Sequence, residues 1–228
     1  MGAVDEPAES MAQPAFPPAP HAKLRNQLRP AILSVLLLTL LAGIVFPLAL
    51  FAIGRPLFPR QAAGSLVMRG GMVIGSDLVG QQFTLEKYFQ PRPSAAGNGY
   101  DGTASGGTNL GPNNRNLKNG ASDFLGIRQL AEQYRQRNGL DANTPIPIDA
   151  VTRSASGLDP DISPDNARLQ VPRVARARGV AADAIRRLVA QHTKGPQFGL
   201  LGNPRVSVLE LNLALDQSLR PGTGASPR

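Results

Sequence analysis

No charged side chain occurs between Arg29 and Arg55, and residues 31–53 read AILSVLLLTLLAGIVFPLALFAI. At about 1.5 Å per residue, a helix of this length crosses a hydrocarbon layer of roughly 30 Å. Leucines fall on every face, so no polar stripe is left to turn toward water as a soluble core helix would require. A cleavable signal peptide has an apolar region of only about 7 to 15 residues. The run therefore predicts an uncleaved transmembrane helix over residues 29–54.

Within the span, Thr39, Gly43 and Pro47 recur at every fourth position. That spacing puts them on one helical face, where small side chains let another helix approach closely. Pro47 has no N–H to offer the carbonyl of Gly43, so a bend is expected there. Lys23, Arg25 and Arg29 precede the span and Arg55, Arg60 and Arg69 follow it, so the positive-inside count is balanced. The short leading segment then decides: N-terminus cytoplasmic, the larger part of the chain outside.

Composition narrows what that larger part can do. The chain has no Cys, which removes zinc-thiolate sites, iron–sulfur clusters and a Cys nucleophile. Only His21 and His192 carry imidazoles, so a metal site would have to be built mainly from carboxylates and a catalytic triad has almost no candidate base; no cofactor, metal or catalytic residue is assigned. All of the +8 net charge lies from Arg55 onward. The basic residues are scattered and aromatic stacking platforms are few, which argues against nucleic acid and for membrane lipid or an acidic partner.

Residues 1–28 read as a disordered cytoplasmic tail, 55–220 as a single soluble extracytoplasmic domain, and 221–228 as a second disordered tail. In the domain, short apolar runs between Gly64 and Phe83 alternate with Gly70-Gly71, Gly75 and Gly80, the pattern of short strands and tight turns. Helices are expected from Ser122-Asp123 to Asn138, after the Ser163-Pro164 cap with a kink at Pro172, over residues 182–192, and from the Ser207 capping box to Leu219. The fold class is α+β, one N-terminal transmembrane helix followed by short strands and then helices.

Several segments resemble catalytic motifs without their context. Gly97-Asn98-Gly99-Tyr100-Asp101-Gly102 fits the dinucleotide pattern, but flanking prolines deny it a delivering strand. Ser154-Ala155-Ser156-Gly157 lacks the upstream glycine of a nucleophile elbow, so turn or capping serines explain it better. His192 closes a basic helix, where a cation suits the dipole. Arg173, Arg176, Arg178, Arg186 and Arg187 read as a solvated face, with a docking surface as the alternative. Ser105, Gly106, Gly107, Thr108 and Asn109 could form an amide nest for an anion, or, within the polar stretch of residues 97–116, a contact for a partner.

Taken together, Leu28-Arg29-Pro30-Ala31, Gln61-Ala62-Ala63-Gly64-Ser65-Leu66, Gly75-Ser76-Asp77-Leu78-Val79-Gly80-Gln81-Gln82-Phe83, Ser105-Gly106-Gly107-Thr108-Asn109-Leu110-Gly111-Pro112, Ser154-Ala155-Ser156-Gly157-Leu158-Asp159 and Leu209-Glu210-Leu211-Asn212-Leu213-Ala214-Leu215-Asp216 resemble the C subunit of the bacterial Kdp potassium-transporting ATPase. Arg153, Asp161 and Ala181 depart from that family's usual residues. The resemblance implies a non-catalytic, single-pass subunit of the inner membrane. Its implied partners are a potassium-channel-like subunit, a P-type ATPase subunit and a small single-span subunit. It also implies a catalytic chaperone that raises the ATP affinity of the ATPase subunit, with ATP reached only through that subunit. A membrane-anchored binding module for an anionic envelope polymer is the alternative, supported by the charge alone.

Overall fold

The computed structural model describes residues 24–218. Most of the expected leading tail and the whole trailing tail, including His21, lie outside the described residues. The chain divides after Phe58 into two units, each taken by itself below.

The first unit is one apolar helix, Leu24–Leu57, which begins earlier than the expected boundary at residue 29. It comprises α1 (Leu24–Leu40), a π-helical segment (Leu41–Val45) and α2 (Phe46–Leu57), with no residue buried in the chain. Where a bend is expected at Pro47, the helix shows a π-helical turn. The Phe46 N–H reaches back to the carbonyl of Leu41, one residue further than an α-helix would. A wide turn just before Pro47 absorbs the missing donor, and the helix continues.

The second unit starts with a short helix, α3 (Pro59–Ala62), followed by β1 (Leu66–Arg69) and β2 (Met72–Ser76). These strands form an antiparallel hairpin whose register shifts between Val67 and Met68. Gly70 and Gly71 both have positive φ, 58° and 80°, the requirement of a tight two-residue hairpin turn. Residues 77–114 carry no further named strand or helix. The chain then gives α4 (Arg115–Asn119), α5 (Ile127–Asn138), α6 (Ile148–Val151), β3 (Asp161–Ile162), α7 (Pro164–Arg178) and α8 (Ala182–Gln191). It finishes with β4 (Thr193–Lys194), β5 (Arg205–Ser207) and α9 (Val208–Ser218).

Helix ends follow local chemistry. Ser163 caps α7 by accepting the Asn166 N–H at 3.1 Å, and Asp149 holds that cap through Ser163 and Asn166. Gly139 and Gly179 end α5 and α7 in the left-handed conformation that glycine adopts without cost. The helix α5 opens at Ile127 rather than at Ser122-Asp123, because Gly126 and Gln129 complete a cap there, with the Gly126 N–H donating to Gln129 Oε1 at 2.9 Å. The helix α7 runs on through Pro172.

The core forms where α7, α8 and α9 cover the three-stranded antiparallel sheet β3-β5-β4. Val171, Val174, Ile185, Val206, Leu211 and Leu215 are at most 1% exposed, and burying each contributes roughly 2 kcal/mol. Phe89 joins them from an irregular segment.

That segment corrects the reading of the arginine cluster. Arg173 and Arg178 are 3% and 4% exposed, not part of a solvated face. Arg173 donates to the carbonyls of Glu86 and Tyr88 and to Asn138 and Gln170, while Arg178 donates to the carbonyl of Lys87 and to Asp216. Gln170 accepts the Gln90 N–H and donates to the Gln90 carbonyl. Side chains thus supply the hydrogen bonds that a neighbouring strand would otherwise give residues 86–90.

Candidate functional site

Two regions carry the residues singled out from the sequence. On the membrane helix, Thr39 lies in the last turn of α1, Gly43 sits inside the π-helical segment and Pro47 lies in the first turn of α2. A Cβ built on Gly43 would meet nothing within 4 Å, so the notch it leaves is open within the chain. Leu40 and Ile44 beside it are about half exposed. Such a notch flanked by larger apolar side chains is the surface on which transmembrane helices pack.

In the second unit, the strip Ser154-Ala155-Ser156-Gly157-Leu158-Asp159 organises the polar stretch. Ser94 Oγ donates to the Gly157 carbonyl at 2.6 Å and accepts the N–H groups of Ala96 and Tyr100. Arg92 pairs with Asp159 at 2.8 Å. The Ser105 hydroxyl and the Gly106 N–H both donate to the Ser156 carbonyl, at 3.0 and 2.9 Å. A Cβ at Gly107 would lie 2.7 Å from the Ala155 carbonyl oxygen, so only glycine lets the two backbones lie this close. The same holds at Gly157, where φ is +69° and a Cβ would meet the Gly106 carbonyl oxygen at 2.6 Å.

This arrangement uses one of the amides that an anion nest at residues 105–109 would need. An anion nest needs converging free amides, and the Gly106 amide is directed into the strip instead. What remains accessible is a groove lined by Thr108, Asn109, Leu110, Leu117, Ile127 and Arg153. Arg153 stacks over the Phe124 ring at 4.4 Å and donates to the Leu125 carbonyl, so this departure from the family residue fixes the groove wall. Burial lowers its pKa, yet a guanidinium stays charged.

A second cleft is lined by Gln82, Gln90, Arg92, Tyr100, Tyr134 and Arg137. Burial pushes the Tyr100 and Tyr134 hydroxyls above their ordinary value, so both remain protonated donors. Tyr134 donates to Asn166 Oδ1 at 2.8 Å and Tyr100 to the Arg92 carbonyl, which spends both on structure. The Gly97 to Gly102 pattern borders this cleft in a run of turns, with no strand before it and no helix after it. It has no helix N-terminus on which to seat a pyrophosphate.

Nothing here assembles a nucleophile and a base. His192 closes α8 through its own backbone N–H. Among the described residues, no group of three or more His, Asp and Glu gathers that could hold a metal ion. Ser154 and Ser156 face each other at 3.5 Å and cap or turn the strip. The hydrogen bonds by which Gln170, Arg173, Arg178 and Asn212 hold the backbone of residues 86–90 were missed from the sequence. Polar residues at helical spacing among Ala and Val were the available signal.

The comparisons with known proteins agree with this geometry. A family described as K+-transporting ATPase, c chain, matches residues 28–217, which takes in the apolar helix and the folded domain. A potassium-transporting ATPase KdpC subunit of Mycobacterium bovis BCG is 50% identical over 194 residues, covering 85% of this chain and 100% of the relative. KdpC subunits of Acidobacterium capsulatum and Geobacter metallireducens are 48% and 47% identical, each covering 84% of this chain and 98% of the relative. With the apolar helix and the domain both inside the match, the chain belongs to the KdpC family and is, as a member of it, a non-catalytic accessory subunit of the Kdp potassium-transporting ATPase.

Proposed function

We propose that this subunit works by holding partner subunits together through its membrane helix. The face carrying Thr39, Gly43 and Pro47 packs against spans of the channel-like, ATP-hydrolysing and small single-span subunits. The domain stands outside the cytoplasm, with the N-terminus inside, and braces the potassium entrance through the groove beside residues 105–109. The observation that carries this reading is the apolar helix Leu24–Leu57, whose side chains find no cover among the described residues.

The chaperone role implied by the family then has a physical constraint. ATP is cytoplasmic, so a domain on the other face raises ATP affinity only by favouring one conformation of the partners over another. Direct contact with nucleotide requires the opposite topology. The Cys-free sequence makes the test simple: Ser226→Cys, then an impermeant thiol reagent on intact cells. Labelling of intact cells supports the external domain. Labelling only after permeabilisation reverses the topology and restores a direct route to ATP.

A further inference from the structure

The β1–β2 hairpin leaves large apolar side chains uncovered. Leu66, Met68, Met72 and Val73 are 46%, 56%, 71% and 54% exposed. They are not a core face awaiting closure. A Cβ at Gly75 would come within 2.9 Å of Leu209, so the inward side of the hairpin is already packed on the domain. Met68 and Val73 are cross-strand partners on one face of the ribbon and Met72 is paired with Arg69 on the other, so exposed apolar side chains surround the Gly70-Gly71 tip on both faces.

The hairpin is fastened to the chain that leaves the membrane helix. The Ser65 N–H donates to the Arg60 carbonyl at 2.9 Å, the Ser76 hydroxyl to the Gly64 carbonyl at 2.7 Å, and the Asp77 N–H to the Ser65 carbonyl at 3.0 Å. Arg60 also pairs with Asp77. From Phe58 to Leu66 the backbone, partly helical in α3, reaches about 20 Å at most. At about 1.5 Å per residue, the helix Leu24–Leu57 is longer than a hydrocarbon layer of roughly 30 Å, so its end emerges among the headgroups. No more than about 20 Å of chain separates the hairpin from the helix end.

Charge points the same way. Between Glu9 and Asp77 the sequence has no acidic residue, while Arg55, Arg60 and Arg69 flank the helix end and the hairpin tip. Asp77, which breaks the run, is paired with Arg60. Arg69 is half exposed and forms a long ion pair with Asp216 at 3.9 Å, so one side of its guanidinium still faces solvent. An acid-free segment that combines exposed Met, Leu and Val with arginines matches an anionic bilayer surface: apolar tips enter the acyl boundary and cations stay with the headgroups.

We propose that the β1–β2 hairpin is a lipid foot, with Met68, Met72 and Val73 seated at the headgroup–acyl boundary and Arg69 among anionic headgroups. The anchor is then two-point, and the domain is restrained against the bilayer as well as tethered to it. This surface is separate from the helix face and from the groove beside residues 105–109.

The test uses the full chain, which has no native thiol. Met72→Cys and, as an aqueous reference, Ala142→Cys at an exposed turn each carry a nitroxide. Both are reconstituted into vesicles of phosphatidylcholine and phosphatidylglycerol, alone and within the assembled complex. Power-saturation resonance should show the Met72 label several-fold more accessible to oxygen, and less accessible to an aqueous nickel chelate, than the Ala142 label in both preparations. Equal chelate access at the two positions overturns the proposal. Loss of both oxygen and chelate access in the complex also overturns it, because that result puts the hairpin against protein.

Discussion

Asn212 holds both main-chain polar groups of Phe89, accepting its N–H at 2.8 Å and donating to its carbonyl at 2.9 Å. A side chain on α9 thereby does what an adjacent strand would do, and the fully buried Phe89 ring is fixed in the core as a consequence. Asn212→Ala leaves a buried donor and a buried acceptor without partners, at about 1–3 kcal/mol each. Urea unfolding of the full chain in detergent, followed by circular dichroism, should show a loss of about 2–4 kcal/mol.

The start of α8 has room for improvement. Ala181 occupies the cap position and makes no side-chain hydrogen bond there. Ala181→Ser should supply the missing acceptor and raise stability by about 1 kcal/mol in the same unfolding measurement.

Acid sensitivity is expected at Asp216. Burial works against its charge, but hydrogen bonds from Arg178 and Tyr88 outweigh that and hold its carboxyl below the ordinary carboxylate value. A group depressed in the folded state stabilises above its unfolded value, near pH 4, and that contribution is lost as pH falls through the folded value. Stability measured against pH should therefore drop steeply below about pH 4. Asp216→Asn should cost about 3 kcal/mol at neutral pH, since it strips the carboxylate from the buried Arg178, and should flatten the acid limb.

Gly43→Leu separates packing between subunits from folding of the chain. Nothing within the chain opposes a side chain at this position, so the domain should unfold as before. Copurification of the ATP-hydrolysing subunit from detergent extract should fall several-fold. Unchanged copurification would remove the notch from the assembly surface.

Much of this was legible in the sequence because the signals were local. The unbroken apolar run, the Gly70-Gly71 turn, the Ser163 cap and the Asn138-Gly139 stop each depend on neighbouring residues, and each appears where the chain predicts it. The sheet β3-β5-β4 was invisible, since strands of two or three residues carry no period, and its pairing joins residues far apart. The arginines were misread for a related reason. Charge suggests solvent, and only tertiary contacts show that Arg173 and Arg178 face the carbonyls of residues 86–88. At the candidate site, the glycines at 107 and 157 were visible as residues, but the close approach that requires them was not.

The central claim is that this chain acts as an anchored member of a potassium-transporting ATPase. Affinity purification of the tagged full-length chain from detergent-solubilised membranes, followed by assay of the eluate, tests it most directly. The account predicts that the ATP-hydrolysing and channel-like subunits elute with it and that the eluate hydrolyses ATP with stimulation by potassium. Recovery of the chain alone, or from the soluble fraction with its apolar helix removed, would contradict it.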